Sequence, residues 1–341
     1  MNARFRLLIA AMVAALAVGL AACGGGSSSS SSSVTESAEG GESEQSSFSY
    51  GYSIPTGQNA WISTIAESAQ EKADAAGGEG ELADAQLDPA NAVTQLNRFL
   101  TQGDEVLAIA PAQVPQAVEA TLKKASSAGT PSFAVEWSFA AGEPEAAPKP
   151  PVNGQVSVGR EQLGEEVAEM INEDDPSGAE VIYVGLPFPV AGVDFFQEVM
   201  EEHLGKSKVV ANLDDPTDNA QGALGPVSGA LGANPNASAI VTYNGPSAAG
   251  SVQAVKSAGL TGKVNIYCIQ LDSQTAKLTE EGAVRASWDI NPIEIGDALG
   301  EMIAAAGTGE PESAWAKTVV IEPKVFTKEN VKTWENWESG S

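Results

Sequence analysis

From residue 47 onward the apolar positions follow two alternating rhythms. Phe48-Ser49-Tyr50-Gly51-Tyr52-Ser53-Ile54 alternates with a period of two and predicts a strand. Trp61, Ile62, Ile65, Ala66 and Ala69 recur at helical spacing as far as Ala76, where Gly77-Gly78 predicts a stop. Residues 81–86 read as a short strand. Asp88-Pro89 opens a helix carrying Ala92, Val93, Leu96, Phe99 and Leu100, closed by Gly103. The runs Val106-Leu107-Ala108-Ile109-Ala110 and Ser132-Phe133-Ala134-Val135 predict buried strands on either side of a helix over 114–128.

After a proline-rich stretch (Pro144, Pro148, Pro150, Pro151) the theme restarts. Strands are expected at Val156-Ser157-Val158, Val181-Ile182-Tyr183-Val184, Val209-Val210, Ala239-Ile240-Val241-Thr242 and residues 264–269, with helices over 162–172, 194–204, 221–232 and 247–258. Repeated β-α-β with short loops predicts parallel sheets with right-handed crossovers and helices on both faces. Two passes of the theme predict two similar α/β lobes, each Rossmann-like, in tandem.

The first residues have a different pattern. Arg4 and Arg6 precede an apolar run from Leu7 to Ala22 that no acid interrupts. Basic, apolar and small-residue parts in that order describe a secretion signal over residues 1–22. At roughly 16 residues the run is short for a bilayer span, the competing reading. Leu20-Ala21-Ala22-Cys23 resembles the bacterial lipoprotein box. That resemblance implies that Cys23 is acylated, becomes the first mature residue and anchors an extracytoplasmic protein to the cell membrane. Gly24-Gly25-Gly26 and the serines from Ser27 to Ser33 cannot bury apolar surface, so residues 23–47 read as a disordered tether with a reach of about 25–30 Å.

Composition narrows the chemistry. Roughly 290 residues remain for folding, enough for a sizeable core. The chain has 45 acids against 18 bases, a net charge of −27, which argues against nucleic acid as a partner. It contains two cysteines; with Cys23 committed to lipid, Cys268 lacks a disulfide partner and reads as a buried, inert thiol. The single histidine, His203, lies at the polar end of a helix and reads as exposed. A His/Cys zinc site, a Ser-His-Asp triad and a phosphate-binding loop all lack their residues, and no metal or cofactor is called for. Asp214-Asp215-Pro216-Thr217-Asp218-Asn219 lacks the ligand spacing of a calcium loop and reads as a helix-start turn capped by Asp218 or Asn219. Residues 327–341, with Trp334 and Trp337, read as a short amphipathic cover over one lobe.

Several segments, in order, resemble the type I periplasmic sugar-binding proteins, the ribose- and galactose-binding family. Ser53-Ile54-Pro55-Thr56-Gly57-Gln58-Asn59-Ala60-Trp61-Ile62 is similar to that family's first ligand-facing turn. Asp88-Pro89-Ala90 is similar to its Asp-Pro-Ala helix start, and Gly103 through Pro111 to its apolar strand ending in proline. Asn244-Gly245-Pro246-Ser247-Ala248-Ala249-Gly250 resembles its Asn-Asp-x-x-Ala-x-Gly turn, and Pro292 to Gly296 its last helix entry. The resemblance spans residues 48–332. It implies two discontinuous lobes, 48–157 plus 291–322 and 158–290 plus 323–335, joined by three strands near Ser157, Ile290 and Pro323 that act as a hinge.

The resemblance also implies ligand positions. Asn59 is kept, and Trp61 stands where an aromatic stacks on a sugar face. The usual Asp-Arg pair reads Glu136-Trp137, so the acid survives and the guanidinium is lost. Asn244 is kept, and Asp272 stands at a ligand-facing acid. A second arginine is absent, its region reading Val190, Ala191, Gly192 and Val193; Ile290 replaces a glutamine, with Trp288 beside it; Ala110 and Gly159 replace further polar groups. Losing such hydrogen bonds while gaining rings leaves two readings of the solute. It is a different sugar or polyol held by Asn59, Glu136, Asn244 and Asp272 with its ring sandwiched by Trp61 and Trp137, or it is flatter and more apolar. Trp288 and Phe188 either join them or pack in the core. The resemblance implies a monomeric solute-binding component of an ABC importer, handing a neutral carbohydrate to a membrane permease. A sensory receptor for a nucleoside or aromatic signal is the alternative. A hydrolase would need Glu136 and Asp272 as a carboxylate pair about 5–10 Å apart, and nothing else in the chain argues for an enzyme.

Overall fold

The computed structural model describes residues 47–109, 115–137, 149–187, 190–217 and 219–336. In chain order the elements are β1 (Phe48–Ile54), α1 (Ala60–Ala75), β2 (Gly78–Asp84), α2 (Pro89–Gln102), β3 (Val106–Ile109), α3 (Pro115–Ala128), β4 (Ser132–Val135) and β5 (Gly154–Val158). Next come α4 (Arg160–Asp174), β6 (Glu180–Gly185), α5 (Ala191–His203), β7 (Lys208–Asp214), α6 (Ala220–Ala233), β8 (Ala237–Thr242), α7 (Gly245–Ser257), β9 (Asn265–Cys268), α8 (Ser273–Glu281) and β10 (Ala286–Asp289). The described chain ends with α9 (Pro292–Gly307), α10 (Glu312–Trp315), β11 (Thr318–Ile321), β12 (Lys324–Thr327) and a 3-10 turn at Val331–Thr333.

The strands form two six-stranded sheets, each the centre of one lobe, in the orders β11-β5-β4-β3-β1-β2 and β12-β10-β9-β8-β6-β7. All pairings are parallel except β10 with β12. The central strands β3, β4 and β5 are buried along their whole length, as a parallel sheet covered by helices on both faces requires. The edge strands β2 and β7 alternate exposed and half-buried positions.

Those edges are where the apolar pattern misplaces boundaries. β2 begins at Gly78, three residues before the expected strand, because Gly78 and Gly80 lie against the Tyr50 ring. A Cβ on Gly80 would fall 2.0 Å from that ring. β7 runs seven residues around an expected pair of valines, its outward positions being polar. The chain crosses between the sheets after β5, after β10, and between β11 and β12, which only Glu322 and Pro323 separate.

Side chains at strand ends start the helices. Asn59 caps α1, accepting from the Trp61 and Ile62 N–H groups at 3.0 and 3.3 Å. Asp88 caps α2 and Asn219 caps α6; Asp218, the alternative cap, lies outside the described residues. Asn244 accepts from Ser247 N–H at 2.9 Å to cap α7, and Asp272 from Thr275 N–H at 2.6 Å to cap α8. Each such cap is worth about 1 kcal/mol and fixes the turn between strand and helix.

Candidate functional site

Both sheets direct the carboxyl ends of their parallel strands towards a shared cleft, the place where open α/β sheets bind ligands. Two adjoining cavities occupy it. An inner chamber of about 260 Å³ and an outer one of about 520 Å³ share Thr56, Asn59, Trp61, Leu87, Thr217 and Gln270. These six residues come from both lobes.

Asn59 and Trp61 face the cleft from the first turn of α1, whose entry the Asn59 cap sets. Trp61 is half-buried, and its indole N–H is shielded from solvent without a hydrogen bond among the described residues. Asn244 and Asp272 line the outer chamber from the starts of α7 and α8. The structure therefore brings Asn59, Trp61, Asn244 and Asp272 to one wall system.

Glu136 lines the inner chamber, in a setting the sequence did not reveal. Its backbone is left-handed, φ 54°, a conformation that costs a non-glycine residue about 1–3 kcal/mol. Its N–H bonds Val156 O at 2.8 Å, and its carboxylate takes Arg160 Nε at 2.8 Å and Nη2 at 3.2 Å. The two side chains are only 3% and 4% exposed. Gly192, in the first turn of α5, completes the enclosure: a Cβ there would stand 2.9 Å from both carboxylate oxygens. A carboxylate from the first lobe is thus paired with an arginine of the second and covered by the first turn of α5.

Two expectations are corrected here. The guanidinium that Glu136-Trp137 lacks is supplied by Arg160, one crossover later. Trp137 does not face the cleft. Phe133 and Val135 of β4 face one core cluster and Ala134 the other; the left-handed backbone at Glu136 breaks that alternation and sends Trp137 into the second cluster with Leu96, Phe99 and Leu122. Trp288 is likewise withdrawn. It is fully buried on β10, and its indole N–H donates to Glu166 Oε2 of α4 at 2.9 Å. Cys23, Ala110, Phe188 and Trp337 lie outside the described residues.

Further residues complete the cleft. Gln270 lines both chambers, two positions before Asp272. Asp215 is fully buried and spends its carboxylate on Ser247 Oγ at 2.8 Å and Thr217 N–H at 3.2 Å. Val190, Val193 and Ile290 make apolar wall of the inner chamber. Arg160 had one available signal: a basic residue in the first turn of a helix opposes the helix dipole and needs a compensating acid.

The C-terminal segment reaches the cleft too. Trp334 is buried, lines the outer chamber and donates its N–H to Asp289 Oδ2 at 2.9 Å. Burial pushes the Asp289 carboxyl above the usual range, against the opposing pull of hydrogen bonds from Asn291 N–H and Trp334. Away from the cleft, burial pushes the Cys268 thiol up to about 12, which makes it unreactive. His203 is half-exposed at the end of α5.

Several solved structures that superpose on this chain are described as sugar or polyol transporter components or binding proteins. The ABC sugar transporter subunit of Rhodobacter sphaeroides superposes with a TM-score of 0.73 at 19% identity, covering 83% of this chain and 99% of its own. The binding component of the Shewanella arabinose ABC transporter, bound to L-arabinofuranose, gives 0.72 at 21% identity, covering 85% and 96%. The Caulobacter myo-inositol binding protein, bound to myo-inositol, gives 0.73 at 18% identity, covering 86% and 97%. No curated protein matches the sequence. The model of the periplasmic binding protein domain family matches residues 50–311. With two α/β lobes, a cleft at their strand ends and that match over most of its length, this chain belongs to the periplasmic binding protein family, a family of binders rather than enzymes.

Proposed function

We propose that the chain is the extracytoplasmic capture component of an ABC importer, closing its two lobes on a small neutral sugar or polyol and presenting it to a membrane permease. The observation that carries this reading is the inter-lobe cleft, where the Trp61 ring stands among Asn59, Asn244, Asp272 and Gln270. An apolar ring face with a polar rim is the chemistry a sugar asks for. Arabinose and myo-inositol, the ligands of the Shewanella and Caulobacter neighbours, define the class to try first.

The three crossings near residues 157, 290 and 323 act as the hinge, so the lobes comprise 48–157 with 291–322 and 158–290 with 323–335. Solute touching both lobes favours the closed state through its differential affinity. Residues 1–22 serve as a signal peptide, and Cys23 carries the lipid that holds the tethered domain at the membrane. Trp61 stacks, Asn59 and Asn244 donate and accept, and Asp272 accepts.

Thermal-shift screening of pentoses, hexoses, inositols and alditols tests the reading, since a ligand at 100 Kd adds about 2.7 kcal/mol of stability. A shift with at least one of them, lost in Trp61→Ala, is expected. No shift across the panel would overturn the solute class. Incorporation of labelled fatty acid into the full chain, abolished by Cys23→Ala, checks the anchor.

A further inference from the structure

We propose that Leu87 is a further solute-binding residue of the cleft, its side chain resting on an aliphatic C–H face of the bound solute beside the Trp61 ring. The proposal rests on the carbohydrate reading above and adds a contact to it.

Leu87 sits in the turn between β2 and α2, and two features of its setting are unfavourable. Its backbone is left-handed, φ 60°, directly after Gln86 at φ 56°. That region suits glycine and asparagine and strains a bulky side chain. Its side chain is also 53% exposed, more than any other large apolar residue among the described residues. Packing offsets neither feature. Among the described residues Leu87 joins none of the hydrophobic clusters of the two lobes.

The turn is nevertheless held in place from several sides. Leu87 N–H donates to Pro55 O at 2.7 Å, and Ala85 N–H to Ile54 O at 2.8 Å. One oxygen of the Asp84 carboxylate takes Gln86 N–H at 2.7 Å, and the other takes Gly57 N–H at 3.1 Å. The amides of Gln95 and Asn91 in α2 donate to the Asp84 and Ala85 carbonyls at 2.8 and 3.1 Å. These bonds couple the Leu87 turn to residues 54–57, which lead into Asn59 and Trp61. Leu87 and Trp61 then line both chambers together. A backbone held in a disfavoured region to keep an aliphatic side chain at the edge of a cleft is offset only when something covers that side chain. What enters both chambers is the solute, and the C–H faces of sugars and cyclitols supply the apolar surface.

The test is calorimetry and thermal unfolding of the full chain and of Leu87→Asn and Leu87→Met, with L-arabinose, D-ribose, D-galactose and myo-inositol as probes. Asparagine relieves the backbone and removes the apolar contact. Leu87→Asn is therefore expected to melt about 2–4 °C higher without solute, yet to bind the parent's probe about tenfold more weakly. Leu87→Met keeps an aliphatic side chain of similar volume and is expected to bind within about twofold of the parent. Unchanged affinity in Leu87→Asn would overturn the inference and leave the transport reading standing. A Leu87→Asn variant that melts lower as it loses affinity would also overturn it, because the loss would then belong to a loosened turn. Binding of no probe by the parent chain would remove both readings.

Discussion

Two arginine–carboxylate pairs mark two regions of this molecule and behave as opposites. In the cleft, Arg160 meets Glu136 across the lobes at 2.8 and 3.2 Å, with both side chains at most 4% exposed. At the seam between α4 and the second sheet, Arg285 meets Asp174 at 2.8 and 3.0 Å, but 36% and 17% exposed, and Asp174 also accepts the Tyr267 hydroxyl at 2.8 Å. Distances are alike; water is not. Burial makes each member of the first pair hostage to the other, because a lone charge there has lost its hydration. The second keeps enough solvent for either partner to do without the other. Only the first lies where the lobes meet, so only there would lobe separation re-admit water to the charges.

Arg160→Met is expected to have the largest effect. It leaves the Glu136 carboxylate buried and unpaired, at a cost of about 3–5 kcal/mol in urea unfolding. Adding Glu136→Gln should recover most of the loss. A double variant no more stable than the single one would show that the uncompensated charge was not the cause.

Trp334→Phe comes next and depends on pH. Burial raises the Asp289 carboxyl above its ordinary range, so the native protein binds its proton at a pH where the unfolded chain does not. Ionising Asp289 therefore costs stability as pH rises from the ordinary value through the raised one. The Trp334 N–H offsets part of that cost by bonding the ionised form. Removing it should cost about 1.5–3 kcal/mol at neutral pH, less as pH falls through the Asp289 titration, and should move that titration further up. Carboxyl carbon shifts of Asp289 read the movement, and an unmoved titration would contradict it.

Trp288→Phe returns to the α4 seam. The half-buried Glu166 carboxylate loses the indole donor but keeps Gln162 Nε2 at 2.7 Å. A loss of about 1 kcal/mol is expected, with solute affinity unchanged. A tenfold change in affinity would return Trp288 to the cleft.

How much of this the sequence disclosed follows from the same contrast. Continuous apolar runs such as Val106–Ile109 announce buried strands, because parallel sheets covered on both faces need them. Edge strands such as β7 blur, since one side faces water. β10 and β12 mix polar and apolar residues over four positions, so neither a continuous apolar run nor a period emerges. In the cleft, Asn59, Asn244 and Asp272 were picked out by resemblance to a family's turns, and the structure shows each capping a helix there. Which tryptophan stands beside them was not legible. Trp61 lies in the first turn of α1, Trp137 just past the left-handed Glu136 and Trp288 within β10, and these backbone settings, which composition does not encode, decide which one lines the cleft. Arg160 was hidden for a related reason: it starts α4, its partner lies 24 residues earlier just past the end of β4, and only the sheet order brings them together.

The smallest expected effect sharpens the comparison best. Arg285→Met removes a guanidinium in good geometry with Asp174, at distances like those in the cleft. If geometry governed, its loss would rival that of Arg160→Met. If solvent governs, Asp174 rehydrates and keeps the Tyr267 hydroxyl, and the change stays within about 1 kcal/mol, shrinking further at high salt. Urea unfolding of both variants at low and high ionic strength separates the two accounts. Salt should erode the Arg285 effect and leave the Arg160 effect nearly whole, since screening ions reach the seam but not a pair sealed between the lobes.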